Sequence, residues 1–312
     1  MAYYIGIDIG GTNIKTGVVS EKGEIISETG VPTGAHRPQN IVFEDIAQTV
    51  KEAVEKSKIE MREIRAIGMG SPGMMDYETG SVIYNNNLGW KDFHISEMMS
   101  ERFGIPARIE NDADAAALGE VIAGSAKGAR SAIIITLGTG VGAGIVIEGK
   151  IYRGSEFGHM VIKDGGRPCK CGRKGCFESY CSATGVVAMT KEAIAENPDG
   201  LLAKTAELEG EVSGRTMFDA ADKGDTVAIK LVDEYIEYLA CGIANLVNGL
   251  NPEIISLSGG IANRGEKLLV PLRKKVMSEI YEGIRPNASK IVCCTLGYKA
   301  GLIGAAMAVR DL

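Results

Sequence analysis

Histidine is scarce, with three in 312 residues, and cations are outnumbered, with 34 Lys and Arg against 40 Asp and Glu for a net charge of −6. DNA and anionic membranes are recognised by clustered excesses of Lys and Arg, so neither is an expected partner. Long hydrophobic runs are lacking as well. The longest, residues 132–147, is interrupted by Gly138, Gly140, Gly142 and Gly144, which argues against a lipid-spanning helix. The opening residues, Met1 to Ile7, hold no basic stretch followed by a cleavable apolar segment, so nothing directs export and the expected compartment is the cytoplasm. Seven cysteines, three clustered and four scattered (Cys181, Cys241, Cys293, Cys294), suit a reducing cytosol better than a disulfide framework. With 45% hydrophobic and 24% charged residues, the composition excludes disorder, and the length allows two domains with substantial cores. Small-molecule chemistry is what these exclusions leave.

What is present alternates between strand and helix patterns. Tyr3, Ile5, Ile7 and Ile9 alternate with Tyr4, Gly6 and Asp8, which predicts a strand with Asp8 on the opposite face. Strands at 14–19 and 24–28 make the opening a meander, and helical spacing follows over 40–58. Further strands are predicted at 65–70, 107–110, 131–137, 143–147, 253–257 and 290–295. Helices are predicted at 95–102, 113–123, 183–196, 216–223, 226–250, 266–282 and from 299 onward. Such alternation predicts a mixed sheet with helical cover. Val227, Leu231, Ile236, Leu239, Ile243, Leu246 and Leu250 form one helical stripe, read as core or subunit interface.

The densest chemistry lies in one stretch. His159 stands ten residues before Cys169, and Cys169, Cys171 and Cys176 follow within eight residues among Gly, Lys and Arg. A Cys3His set closes a tetrahedral zinc site with no coordination position left open, so the zinc would be structural. Gly165, Gly166, Gly172 and Gly175 supply tight turns for so short a loop. Unrelated core thiols would instead be dispersed among apolar neighbours. Glu156 and Glu178 flank the loop, either as solvated surface acids or as acceptors for the hydroxyls of a sugar.

Three glycine-rich turns sit at strand ends. Gly10, Gly11 and Thr12, with Lys15 three residues on, expose N–H groups, a hydroxyl and a cation that suit a phosphate; a plain hairpin turn is the alternative, and the P-loop pattern is absent. Gly138, Thr139 and Gly140 form a second turn, and Ser258, Gly259 and Gly260 a third, together what a nucleotide lying between two domains needs. Glu110-Asn111-Asp112 joins a strand to an Ala-rich helix, where Asp112 is either an N-cap or a carboxylate facing a cleft.

In order over residues 5–304, the segments Asp8-Ile-Gly-Gly-Thr12-x-x-Lys15, Ser71-Pro72-Gly73, Asn87-Leu-Gly-Trp90, Glu110-Asn111-Asp112, Gly138-Thr139-Gly140-Val141-Gly142, Glu156-x-Gly-His159, the cysteine cluster through Glu178 and Leu257-Ser258-Gly259-Gly260 resemble the motifs of the ROK family (repressor, open reading frame, kinase), above all its bacterial glucokinases. Val161 and Cys181 depart from the glucokinase pattern, and neither is a proposed functional residue. The resemblance implies an α/β, actin-like and hexokinase-like (ribonuclease H-like) ATPase fold, with two α/β domains flanking a cleft and a zinc loop over 159–178. Its expected division is a small domain of 1–112 plus the terminal helix 299–312, and a large domain of 113–298. The implied reaction is transfer of phosphate from ATP to O6 of glucose, with N-acetylmannosamine, N-acetylglucosamine, fructose or allose as alternative acceptors. A non-catalytic sugar-sensing regulator is the other reading, although the first strand leaves no room for a helix-turn-helix.

Residue by residue, the resemblance makes Asp112 the general base. It gives the sugar to Gly73, Asn87, Asn111, Asp112, Glu156, His159 and Glu178. Mg2+ falls to Asp8, the phosphates of ATP to Gly10, Gly11, Thr12, Lys15, Gly138, Thr139 and Gly140, and the adenosine to Gly259 and Gly260. Zn2+ falls to His159, Cys169, Cys171 and Cys176, with His159 offering one ring nitrogen to metal and the other to sugar. A homodimer or dimer of dimers is the expected assembly.

Overall fold

Ile5, Ile7 and Ile9 are fully buried, and so is Gly6 between them, so the first strand is covered on both faces. A computed structural model describes residues 2–34 and 37–312. Along the chain run β1 (Tyr3–Ile9), β2 (Asn13–Ser20), β3 (Ile25–Pro32), α1 (Gln39–Ser57), β4 (Ile64–Ser71), β5 (Met74–Asp76), β6 (Ser81–Asn85), β7 (Trp90–Phe93), α2 (Ile95–Phe103), β8 (Ala107–Asn111) and α3 (Asp112–Ala123). Next come β9 (Ser131–Leu137), β10 (Val141–Ile147), β11 (Lys150–Tyr152), α4 (Phe177–Cys181), α5 (Ala183–Glu196), α6 (Leu201–Glu209), α7 (Thr216–Asp222) and α8 (Thr226–Leu250). The chain closes with β12 (Ile254–Ser258), α9 (Glu266–Glu279), β13 (Lys290–Cys293) and α10 (Lys299–Met307).

The chain divides into two compact units, one of residues 1–134, 144–153 and 294–312, the other of residues 135–143 and 154–293. In the first, a five-stranded sheet has the order β3-β2-β1-β4-β8. The antiparallel meander β1 to β3 is as the sequence predicts, while β4 and β8 add in parallel. Gly6 and Gly68 leave no Cβ where the backbone of α10 lies against β1 and β4. Register places Asp8 opposite Gly70, Gly70 opposite Glu110 and Ser71 opposite Asn111. Thus the carboxyl ends of three parallel strands, where α/β sheets present their ligand-binding residues, carry Asp8, Ser71 and Glu110–Asn111. α3 packs inside this unit and against α10, although the sequence division assigns it to the other. Gly119 touches Ala300 and Gly304 touches Ala115, a glycine-mediated approach with no local sequence period.

A three-stranded sheet β5-β6-β7 occupies residues that sequence periodicity leaves unassigned. The remaining sheet has the order β11-β10-β9-β12-β13. In the second unit β12 and β13 pair in parallel, and α8 buries Leu231, Ile236, Leu239, Ile243 and Leu246 of the stripe read from sequence as core or subunit interface, while Val227 is half-buried and Leu250 exposed. Among the described residues no helix is long and apolar enough to cross a membrane.

Candidate active site and metal centre

In the first unit the turn from β1 to β2 is a hairpin, closed by Gly10 N–H to the Asn13 carbonyl at 3.0 Å. Thr33 braces it, donating its hydroxyl to the Gly10 carbonyl at 2.6 Å and its N–H to the Thr12 carbonyl at 2.8 Å. Gly11 has open space where a Cβ would stand, and Gly11 and Thr12 are exposed. The turn is therefore rigid, accessible and free of side-chain cover. Lys15 pairs with Asp8 across the ladder and places its Nζ 3.5 Å from the centroid of the Tyr298 ring, a cation–π contact that aims the ammonium.

Asp112 opens α3, but it is not the cap. Asn111 is: its Oδ1 accepts from Ala113 N at 2.9 Å and Asp114 N at 3.3 Å. With that oxygen committed, the Asn111 side chain retains only its NH2 group for a ligand. Burial raises the pKa of Asp112, against the opposing hydrogen bonds from the Ala113 and Asp112 backbone. Asp8 is raised to about 6, first by burial and then by the Asp112 charge, with Lys15 pulling the other way. The Asp112 charge thus adds to burial in destabilising the ionised form of Asp8.

This has a measurable consequence for stability. Because the folded pKa of Asp8 is raised, its stabilising contribution is full below 3.8 and lost as pH rises through about 6. A shift of about two units amounts to about 3 kcal/mol against the folded state at pH 8. Asp8→Asn is expected to raise the melting temperature by several degrees at pH 8 in metal-free buffer and to show no gain at pH 4. Equal melting temperatures for the two proteins at pH 8 would contradict the strained pair.

Gly73 and Asn87 lie on neighbouring segments tied by Asn85, a buried residue that sequence reasoning passed over. Asn85 Nδ2 donates to the Pro72 carbonyl at 2.6 Å, and its Oδ1 accepts from Leu88 N at 3.0 Å. Gly73 has φ 116° and packs against the Tyr84 carbonyl, a position closed to other residues. The sequence signals there were Ser71-Pro72-Gly73 and Asn87-Leu88-Gly89-Trp90, and neither includes Asn85.

In the second unit, His159, Cys169, Cys171 and Cys176 come together with their ligand atoms all within 4.8 Å of one another. His159 Nδ1 is 3.6 Å from Cys169 Sγ, and Cys171 Sγ is 3.6 Å from Cys176 Sγ. Bonds of about 2.1–2.3 Å to a central zinc give ligand-to-ligand edges of this size, so the set fits zinc. Backbone bonds shape the loop: Cys169 N donates to the Arg173 carbonyl at 2.8 Å and Gly172 N to the Cys169 carbonyl at 3.0 Å. Burial and the adjoining thiols push Cys176 up to about 12. A divalent cation at their centre is the charge that reverses that shift. Protein purified without chelator is expected to carry one zinc per chain by elemental analysis.

Glu178, in the first turn of α4, accepts from Val141 N through Oε2 at 3.0 Å and packs on Gly140. Two further bonds hold the same glycine turn: Ala183 N to the Gly138 carbonyl and Thr184 Oγ1 to the Thr139 carbonyl, each at 2.8 Å. Gly259, with φ 94°, lies against the Leu137 backbone, and Ser258 Oγ is 2.9 Å from Thr136 Oγ1. The second and third glycine turns, α4 and the metal loop thus form one connected structure. A cavity of ≈ 330 Å³ opens on it, lined by Thr139, Arg167, Glu178, Ser182 and Thr184 among others. Glu156 is exposed at the residue before the 3-10 turn 157–159 that carries His159.

Parallel strands that carry Asp8 and Glu110–Asn111 at their carboxyl ends, three glycine turns at strand ends and a Cys3His loop whose ligand set fits zinc belong to an actin-like α/β protein. Within that class the chain belongs to the ROK family, whose model matches residues 4–311. A glucokinase of Halalkalibacterium halodurans is 36% identical over 99% of this chain and 95% of its own length. A ROK family glucokinase from Streptomyces griseus, solved with glucose and AMPPNP, superposes with a TM-score of 0.76 at 33% identity over 100% of both chains. The ROK hexokinase from Thermus thermophilus gives 0.81 at 31% identity, covering 98% of this chain and 97% of its own.

Proposed function

We propose that the chain is an ATP-dependent hexose kinase that phosphorylates glucose at O6. The observation that carries this reading is the Asp8–Asp112 pair at the carboxyl ends of β1 and β8, one carboxylate suited to a metal and the other to a proton. In phosphoryl transfer the protein chiefly aligns reactants and balances charge on the transferred group. Asp112 accepts the proton of the attacking hydroxyl. Asn111 donates from Nδ2, Glu156 and the Oε1 of Glu178 accept from sugar hydroxyls, His159 turns Nε2 to the ring, and Gly73 and Asn87 close the far side. Gly10, Gly11, Thr12, Lys15, Gly138, Thr139 and Gly140 take the phosphates, and Gly259 and Gly260 the adenosine. Asp8 would hold Mg2+, which would supply positive charge to offset that of the phosphates. Zinc is structural.

The likeness to glucokinases over the full chain supports glucose before other hexoses. Entry of glucose into glycolysis, a cytoplasmic location and a homodimer or dimer of dimers complete the proposal; seven cysteines with no disulfide among them suit a reducing compartment. A coupled ADP-release assay over glucose, N-acetylmannosamine, N-acetylglucosamine, fructose and allose tests it. Glucose should give the highest kcat/KM, another preferred hexose would reassign the substrate, and ADP release independent of every sugar would sink the kinase.

The pH profile follows from the same pair. An active base must be ionised, and both carboxyls titrate above the ordinary range. kcat/KM is expected to fall toward acid at a pH above the ordinary carboxylate range. A limb at the ordinary aspartate value of 3.8 would mean that neither perturbed group is required.

A further inference from the structure

Gly259 and Gly260 carry no side chains, so whatever they hold is recognised through backbone position and empty space alone. That position has to be set by the neighbours. On one side β9 sets it: Ser258 Oγ lies 2.9 Å from Thr136 Oγ1, and Gly259 packs on the Leu137 backbone. On the other side the chain passes directly into the 3-10 turn 261–264, and at Gly260, with φ −60° and ψ −35°, a Cβ would meet open space. Within the turn Ile261 and Ala262 are buried, and the Ala262 carbonyl accepts from Cys293 Sγ at 3.3 Å.

Arg264 ends this turn and is tied three ways to α7. Its Nη1 donates to Asp219 Oδ1 at 3.0 Å, its Nη2 donates to Asp222 Oδ2, and the guanidinium lies over the Phe218 ring, 5.3 Å from the centroid. Phe218 is buried in turn and meets Tyr235 of α8 edge-on, with centroids 5.7 Å apart. A planar fork with two carboxylates on its edge and a ring on its face has one orientation, which an ammonium cannot reproduce. The Arg264 side chain is 19% exposed and its two acids 35% and 40%, a setting in which ion pairs add little to stability. What the arrangement supplies is a fixed direction for the turn that follows the two glycines.

We propose that Arg264 is a positioning residue for the phosphoryl donor: by anchoring the 261–264 turn to α7 it fixes where Gly259 and Gly260 present their backbone, and so sets the affinity for the adenosine end of ATP. Every residue in this chain of contacts belongs to the second unit. The inference rests on the reading of Gly259 and Gly260 as the adenosine side. Arg264 does not touch the nucleotide; it acts through the turn.

The test compares R264K, R264M and G260L with the parent for ATP KM, glucose KM, kcat, ADP affinity by calorimetry and melting temperature. R264K, which keeps the charge and loses the fork, should raise ATP KM and ADP Kd by about 5- to 10-fold, the scale of one misplaced hydrogen bond. Its glucose KM and its kcat at saturating ATP should stay within about two-fold of the parent, the pattern of lost nucleotide binding alone, and its melting temperature should be unchanged. R264M should weaken ADP at least as much. A lowered melting temperature with ATP KM unchanged, or ATP KM and glucose KM rising together, would make Arg264 structural only and overturn the proposal. G260L keeps the readings apart, because residue 260 has ordinary helical angles and open space, so a leucine there fits the protein and fills the room assigned to adenosine. An unchanged ATP KM in G260L removes the adenosine assignment and the proposal with it, whereas a raised ATP KM in G260L beside parent values in R264K and R264M removes the positioning role alone.

Discussion

Asp112→Asn is expected to reduce kcat by about 10²–10⁴-fold while glucose KM stays within a few-fold of the parent, the signature of a group needed only as the proton moves. That loss corresponds to about 3–5 kcal/mol of transition-state stabilisation. Several features keep the experiment clean. Asn is isosteric with Asp, and the helix does not depend on residue 112 for its cap, because Asn111 Oδ1 already satisfies Ala113 N and Asp114 N. Removing a buried carboxylate with a raised pKa also relieves strain on the folded state at neutral pH, so the variant should be at least as stable as the parent. With the Asp112 charge gone, Asp8 loses a neighbour that raises it and should titrate lower. Near-native turnover in a folded Asp112→Asn protein would remove the base from the mechanism.

Burial sets the cost at both acids. Their backbones are strongly specified, that of Asp8 by the β1 ladder and that of Asp112 by the capped start of α3, and both carboxyls are raised first by burial. Under the proposed function, a metal at Asp8 and a proton acceptor at Asp112 would draw on perturbed groups that otherwise only destabilise the unit.

Much of the fold is legible in local pattern. Strand β1 and helices α5 and α8 have the bounds that periodicity predicts, and both helices are capped by the residue before them: Ser182 accepts from Gly185 N at 3.0 Å and Asp225 from Ala228 N at 2.8 Å. The strands β5 to β7 escape because they are three to five residues long, too short for a period, and α6 escapes because Gly200 gives it no side-chain cap. In the site, the metal ligands are legible because loop and ligands are one contiguous stretch. Arg264–Asp219, Glu178–Val141 and Asn85–Pro72 are not, because each joins residues brought together by strand register or helix packing, 45, 37 and 13 positions apart. The placement of α3 beside α10 is hidden for the same reason: Gly119 and Gly304 read as weak helix formers until the opposing backbone is seen.

His159→Ala should lose zinc affinity and glucose affinity together. Nδ1 is the ring nitrogen that faces Cys169 Sγ, so metal binding through it fixes the plane of the ring and leaves Nε2 directed away from the thiols. Truncation removes both nitrogens at once. Zinc retention should fall by about 100-fold or more, because three thiolates are left around a four-coordinate ion. Glucose KM should rise by about 10-fold or more through loss of the imidazole hydrogen bond that the proposed function gives to the sugar. A Cys171→Ser protein, which damages the metal set but keeps the ring, separates the two effects: it should lose zinc and raise glucose KM less than His159→Ala does. Chelation of the parent should act in the same direction as Cys171→Ser and lower the melting temperature, since the four ligand atoms of the loop converge within 4.8 Å of one another and Glu178 at its end braces the 138–141 turn through Val141 N. If His159→Ala lost zinc with glucose KM unchanged, the metal clamp and the sugar pocket would be separate structures. If it lost glucose affinity with zinc retained, the cysteines alone would hold the ion and His159 would serve the sugar only.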